Sequence, residues 1–102
     1  MGVKIEKADG EVRAFLDGEI DHHCAPSIRN EIDLAVESCR PENLILDFGE
    51  VTFMDSSGIG VIIGRSKQIQ ARGGKVMIIR VKPQVDKVLE VSGLKKIMDC
   101  SH

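Results

Sequence analysis

The chain has no tryptophan and no tyrosine, and its three phenylalanines are its only aromatic residues, 3% of the total. That excludes a stacking platform for single-stranded nucleic acid. It has no excess of positive charge: 14 Lys and Arg stand against 16 Asp and Glu, a formal charge of −2. Nothing therefore draws it to nucleic acid or to an anionic membrane. It lacks long apolar runs, since the longest, Ile59–Gly64, contains two glycines and a bilayer span needs about 20 apolar residues. The start, Met1-Gly2-Val3-Lys4-Ile5-Glu6, lacks the basic-then-apolar order of a signal peptide, and Glu6 stands where a myristoylation signal has Ser or Thr. A cytoplasmic location is expected. Cys24, Cys39 and Cys100 are odd in number and far apart, which is neither a disulfide framework nor a CxxC metal site. They are expected to be reduced thiols that pack as small apolar residues.

What is present suits one compact α/β domain over residues 1–102: 102 residues, 42% of them hydrophobic. Val3–Glu6 and Val12–Asp17 alternate with period two around Asp9-Gly10, the pattern of a β-hairpin. Gly18-Glu19-Ile20-Asp21 either closes the second strand or opens the next loop. Pro26 suits the first turn of a helix, with Ile28, Ile32, Ala35 and Cys39 on one face and Leu34 off it. Leu44–Phe48 is a short apolar run expected to be a strand buried on both faces, broken by Gly49-Glu50, with a loop over Val51–Ser57. A helix is predicted from Ser57-Gly58 to about Arg72, stopped by Gly73-Gly74. Lys75–Ile79 is the next strand. Pro83 opens a helix that carries Val85, Val88 and Leu89 and ends at Gly93, and Leu94–Met98 adds one more turn. The order β-β-α-β-α-β-α predicts a mixed sheet of about four strands with helices packed against it.

The helix after Ser57 carries the strongest signal. At 100° per residue, Ile59, Ile62, Ile63, Ser66 and Ile69 share one face and are expected on the sheet. Val61, Arg65, Gln68 and Arg72 fall opposite, and Gly60, Gly64 and Ala71 form a third stripe with Lys67. Each mid-helix Gly costs about 1 kcal/mol relative to Ala, so two of them need a reason. Either another element packs closely on them, which is the default, or they leave a flat surface for a partner beside an outward Val61. Just upstream stand Asp55, Ser56 and Ser57. One residue suffices to cap a helix, and a hydroxyl at this junction is within a kinase's reach. A phosphate there is favoured by the helix dipole and adds about −1.5 to −2 charges.

The run Phe53-Met54-Asp55-Ser56-Ser57-Gly58-Ile59-Gly60-Val61-Ile62-Ile63-Gly64-Arg65 resembles the phosphorylation segment of the STAS-domain anti-sigma factor antagonists. Gly18-Glu19-Ile20-Asp21-His22-His23 is a second match. Val91-Ser92-Gly93-Leu94, followed by Lys96-Ile97, is a third. Within the family the resemblance points to the sporulation branch, which antagonises the anti-sigma-F factor. It implies partner switching: the unphosphorylated antagonist binds an anti-sigma factor with serine-kinase activity and frees the sigma factor. The kinase then phosphorylates the antagonist, which ends binding, and a PP2C-like phosphatase resets it. Carried onto this chain, the resemblance makes Ser56 the acceptor and fits Ser57 to the helix cap. It puts Asp21 near the acceptor, on a partner surface with Asp55, Ser57, Gly58, Gly60, Val61 and Gly64. Cys24 stands where relatives commonly carry Thr, which weakens the first helix's cap.

Other constellations are weaker. Gly58-Ile59-Gly60 lacks the third glycine of a dinucleotide fingerprint, because residue 63 is Ile. His22-His23-Cys24 are adjacent, and adjacent residues rarely converge on one metal ion. No cofactor is expected. Lys95-Lys96 reads as a solvated pair. Ser56 with a histidine and Asp21 could form a hydrolytic triad, but no nucleophile-elbow sequence surrounds Ser56. A small Ser-dependent hydrolase is thus the rival class, and an antagonist of a non-sigma partner is the rival within binding proteins.

Overall fold

A computed structural model of the protein describes residues 2–96 and 98–101. The elements are β1 (Val3–Ala8), β2 (Glu11–Ile20), α1 (Ala25–Cys39), β3 (Asn43–Met54), α2 (Ser56–Gln70), β4 (Lys75–Ile79), α3 (Pro83–Ser92), a 3-10 turn at Leu94–Lys96 and β5 (Asp99–Cys100). The hairpin forms as expected, with Gly10 at φ +72 in its turn. The sheet order is β1-β2-β3-β4-β5; β1 pairs antiparallel with β2, and every later pair is parallel. Four strands are the expected ones, and β5 adds a short fifth at the edge. Ile97, inside the predicted last turn, lies outside the described residues.

The largest difference from the sequence reading lies in β3. Gly49-Glu50 does not end the strand, and 51–54 is not loop. β2 runs on to Ile20 and β3 to Met54, with Glu50, Val51, Phe53 and Met54 pairing Asp17, Gly18, Glu19 and Ile20. Two register shifts, between Phe15 and Asp17 and between Gly18 and Glu19, each add a residue on the β3 side. Such bulges bend and twist a strand without ending its pairing. Gly49 has a packing role: a Cβ there would overlap the Arg80 guanidinium. Buried Asp47 accepts from Arg80 Nε at 3.0 Å and from the Gly49 N–H at 2.9 Å, and Lys82 Nζ donates to the Gly49 carbonyl. Arg80 itself has φ 58. The cluster ties the start of α3 to β3 beyond the point where β4 has ended.

Val12, Ala14, Leu16, Leu44, Leu46, Val76 and Ile78 alternate onto one sheet face and meet Ile28, Ile32, Val61, Ile62, Ile69, Val85 and Leu89 in one core. Leu34 is exposed, as its place off the α1 stripe requires. On α2 the buried residues are Gly58, Val61, Ile62, Arg65, Ser66 and Ile69. Ile62, Ser66 and Ile69 lie inside as expected, while Ile59 and Ile63 are only half-buried. Val61 is 6% exposed and does not face outward. The reason is α1: Arg65 turns inward to Asp33, Nε to Oδ1 2.9 Å, and Val61 on the same side goes in with it. Burial lowers the Arg65 pKa, and the Asp33 charge opposes that shift. Lys95 is not simply solvated: its ammonium binds Asp86 at 2.7 Å and Glu90 at 3.3 Å, and this raises its pKa.

Gly74 closes the α2–β4 connection against backbone. A Cβ there would stand 1.8 Å from the Glu42 carbonyl oxygen, which cannot swing aside as a side-chain tip would. Gly74→Ala is expected to destabilise the fold by about 1–3 kcal/mol, read as a lower urea midpoint at unchanged slope.

Candidate functional site

Parallel strands that start in register and run on together end together. Ile20 and Met54 are partners across β2 and β3, so the next residues, Asp21 and Asp55, emerge side by side. The Asp55 N–H donates to the Ile20 carbonyl at 3.3 Å. Both aspartates then cap backbone. Asp21 Oδ1 accepts from the N–H groups of His23 (3.0 Å) and Cys24 (3.1 Å), in the turn that enters α1. Cys24, at the N-cap position of α1, makes no capping bond with its side chain; the Asp21 backbone carbonyl accepts from the first helical N–H, that of Ala25, at 2.8 Å. Hydrogen bonding from the Cys24 side chain is the main effect that holds the Asp21 carboxyl below the usual carboxylate range. Burial opposes it, while the two backbone N–H bonds add to it. The Cys24 thiol is pushed up, first by burial and then by Asp21.

Asp55 is the N-cap of α2, with extended backbone at φ −109 and ψ −169 and Oδ1 accepting from the Ser57 N–H at 2.8 Å. This corrects the assignment of the cap to Ser57. Ser57 supplies the capped N–H and is half-buried, and α2 begins one residue earlier, at Ser56. Ser56 is therefore in the first helical position, exposed, its hydroxyl not needed by the cap. Among the described residues no hydrogen bond links a histidine to Ser56. His23 instead lies 4.0 Å from Asp21, Nδ1 to Oδ2. The described histidines thus offer the hydroxyl no base.

The glycines separate into two kinds. Gly58 is buried, and a Cβ there would come within 2.3 Å of the Met54 side chain and 3.1 Å of Ile20. It lets α2 sit down on the strand ends, so like Val61 it is internal rather than part of an outer surface. Gly60 and Gly64 have nothing within 4 Å of an added Cβ. The default explanation, close internal packing, does not hold for them. They leave a bare stretch of helix open to the outside, on the same helix as Ser56.

On another side of α2 lies a groove of about 450 Å³ against α3, lined by Ser56, Ile59, Lys87, Val88, Val91 and Ser92. Sequence reading did not find it, although exposed Val91, 90% accessible at the end of an otherwise amphipathic helix, was the available signal. Groups of acidic, His and Cys side chains suited to a metal ion are absent among the described residues. No helix there is long and apolar enough to cross a membrane.

Three outcomes follow for stability. Asp55→Ala is expected to cost about 0.5–2 kcal/mol by removing the cap. Gly60→Ala is expected to gain up to about 1 kcal/mol, because the helix gains propensity and no neighbour is struck. Both are read by urea unfolding. The depressed Asp21 pKa contributes stability that is present above the ordinary carboxylate value and is lost as pH falls through the folded value. Asp21→Asn should therefore flatten the loss of stability below about pH 4.

The geometry has counterparts among known proteins. Residues 3–102 match a family described as STAS domain. The chain is 40% identical over 98 residues to the anti-sigma F factor antagonist of Paenibacillus polymyxa, covering 96% of this chain and 84% of the relative. Its fold is similar to the anti-sigma factor antagonist SpoIIAA in its unphosphorylated form, with TM-score 0.85, 32% identity, and 99% and 89% of the two chains covered. It is also similar to the Bacillus cell fate determinant SpoIIAA in the phosphorylated form, with TM-score 0.76, 31% identity, and 99% and 92% covered. The adjoining aspartates, the capped serine and the open helix thus stand in a chain that belongs to the STAS-domain family of anti-sigma factor antagonists.

Proposed function

We propose that the protein is the antagonist in a partner switch controlled at Ser56. Unphosphorylated, it binds an anti-sigma factor with serine-kinase activity in the cytoplasm and releases the sigma factor. The observation that carries the reading is Ser56 itself: exposed in the first turn of α2, with the helix end already capped by Asp55. The hydroxyl is free for chemistry without cost to the fold. The relatives supply the partner class, since they are named as antagonists of anti-sigma factors and one similar structure is a phosphorylated form.

The docking surface in this reading comprises Asp21, Asp55, Ser56, Ser57 and the open helix at Gly60 and Gly64. Gly58 and Val61 support it from beneath. The bare glycines let a partner approach the α2 backbone closely, and the Asp21 and Asp55 carboxylates call for a cation opposite. The kinase transfers the γ-phosphoryl group of ATP to Ser56 Oγ: the bond to the ADP oxygen breaks, the Oγ–P bond forms, and the hydroxyl proton goes to a base. With no histidine bonded to Ser56 among the described residues, that base belongs to the kinase. This chain catalyses nothing in the cycle. The phosphate brings about −1.5 to −2 charges to a surface already carrying two carboxylates. It therefore opposes docking by bulk and by loss of charge complementarity. A PP2C-like phosphatase returns the hydroxyl.

Incubation with the cognate kinase and radiolabelled ATP should label the protein and Ser57→Ala but not Ser56→Ala. Undiminished labelling of Ser56→Ala would reject the acceptor. By calorimetry, Ser56→Asp and Gly60→Ala should each bind the anti-sigma factor at least about tenfold more weakly, ~1.4 kcal/mol, while unfolding no earlier than the parent. Equal affinities would remove the docking surface from the reading.

A further inference from the structure

The groove between α2 and α3 bears on what the phosphate does once it is attached. Ile59, Val88 and Val91 make its lining apolar, and Ser56 and Lys87 both border it. The charged neighbours can be placed one by one. At the strand ends, Asp55 caps α2 and Asp21 caps the entry to α1, both acidic. On α3, Asp86 and Glu90 are both held by Lys95. Lys82, at the start of α3, donates to the Gly49 carbonyl. Lys87 is exposed, and no ion pair engages it among the described residues. A phosphate on Ser56 would therefore have carboxylates on the strand side and, across the groove, one uncommitted ammonium.

We propose that Lys87 is the built-in counter-charge for phosphorylated Ser56, and that the ion pair spans the mouth of the groove and covers Ile59 and Val88. The proposal rests on Ser56 being the acceptor. Phosphorylation then acts twice: it places negative charge on the docking surface, and it draws the long Lys87 side chain across apolar surface beside it. The methylene stem of Lys suits that covering role, and a phosphate oxygen is a strong acceptor for its ammonium. The bridge also offsets the repulsion that the phosphate feels from Asp21 and Asp55, so the modified protein remains folded and ready for dephosphorylation. In the unmodified protein no such anion is present and Lys87 stays in solvent, leaving the groove open.

The test uses the full chain with phosphoserine installed at position 56 during translation, so that no kinase is needed. Phosphorus NMR then follows the second ionisation of the phosphate against pH. Lys87→Met is expected to raise that pKa by about half a unit, the size an exposed ion pair produces. Lys87→Arg should restore the low value, and salt should shrink the difference. Methyl resonances of Ile59 and Val88 should shift on phosphorylation in the parent and fail to shift in Lys87→Met. A pKa indifferent to Lys87 would overturn the proposal, and so would methyl shifts that persist in Lys87→Met. Neither result would touch the assignment of the acceptor. Conversely, a kinase that modifies another residue would overturn the acceptor and leave the measured ion pair standing.

Discussion

The parallel pairing of β2 with β3 beyond the end of β4 is the constraint on which the rest of this structure hangs. β4 stops opposite Asp47, yet β2 and β3 continue together to Ile20 and Met54. Two bulges take up the register, and the Asp47–Arg80–Gly49 cluster pins the first of them. Because the two strands finish level, two aspartates leave the sheet side by side, and each turns at once into the cap of a helix entry. Remove that level finish and Asp21 and Ser56 have no reason to share a surface. β3 is also in contact with α3, and α2 and α3 together line the groove.

Packing and exposure are divided along α2 residue by residue. Asp55, Gly58, Val61, Ile62, Arg65 and Ile69 hold the helix to the sheet and to α1. Ser56, Gly60 and Gly64 contribute little to holding it. Two open glycines in one helix are a net cost to folding of about 1 kcal/mol each, sustained by the core beneath. A surface built this way accepts a change of charge without a change of fold, because the groups that change are not those that pack.

Much of this was legible from residue order. The hairpin followed from alternation around Asp9-Gly10, the helix starts from Pro26 and Pro83, and the strand cores from runs such as Leu44–Phe48. The family was legible through the resemblance of the Phe53–Arg65 run to the antagonists, not through spacing alone. Long-range pairing was what the sequence concealed. Gly49-Glu50 looks like a strand break until β2 is seen to carry on beside it, and Asp99–Cys100 is too short to signal a strand by itself. The helical wheel of α2 was right in period but wrong in rotation. Arg65 reads as a wet residue unless Asp33 is known to wait for it on α1, and Val61 turns with it. The cap was misassigned by two residues because Asp55 and Ser57 are both good cap formers, and only the extended backbone at Asp55 decides between them.

The side-by-side emergence of Asp21 and Asp55 also bears on when the proposed switch would become readable. In the proposed switch, Ser56 is presented by a helix start that exists only once β3 has paired with β2, a contact between parts of the chain well separated in sequence. A nascent or unfolded chain contains the serine but not the capped turn or the neighbouring carboxylate. A kinase acting as proposed would therefore read folding as well as sequence.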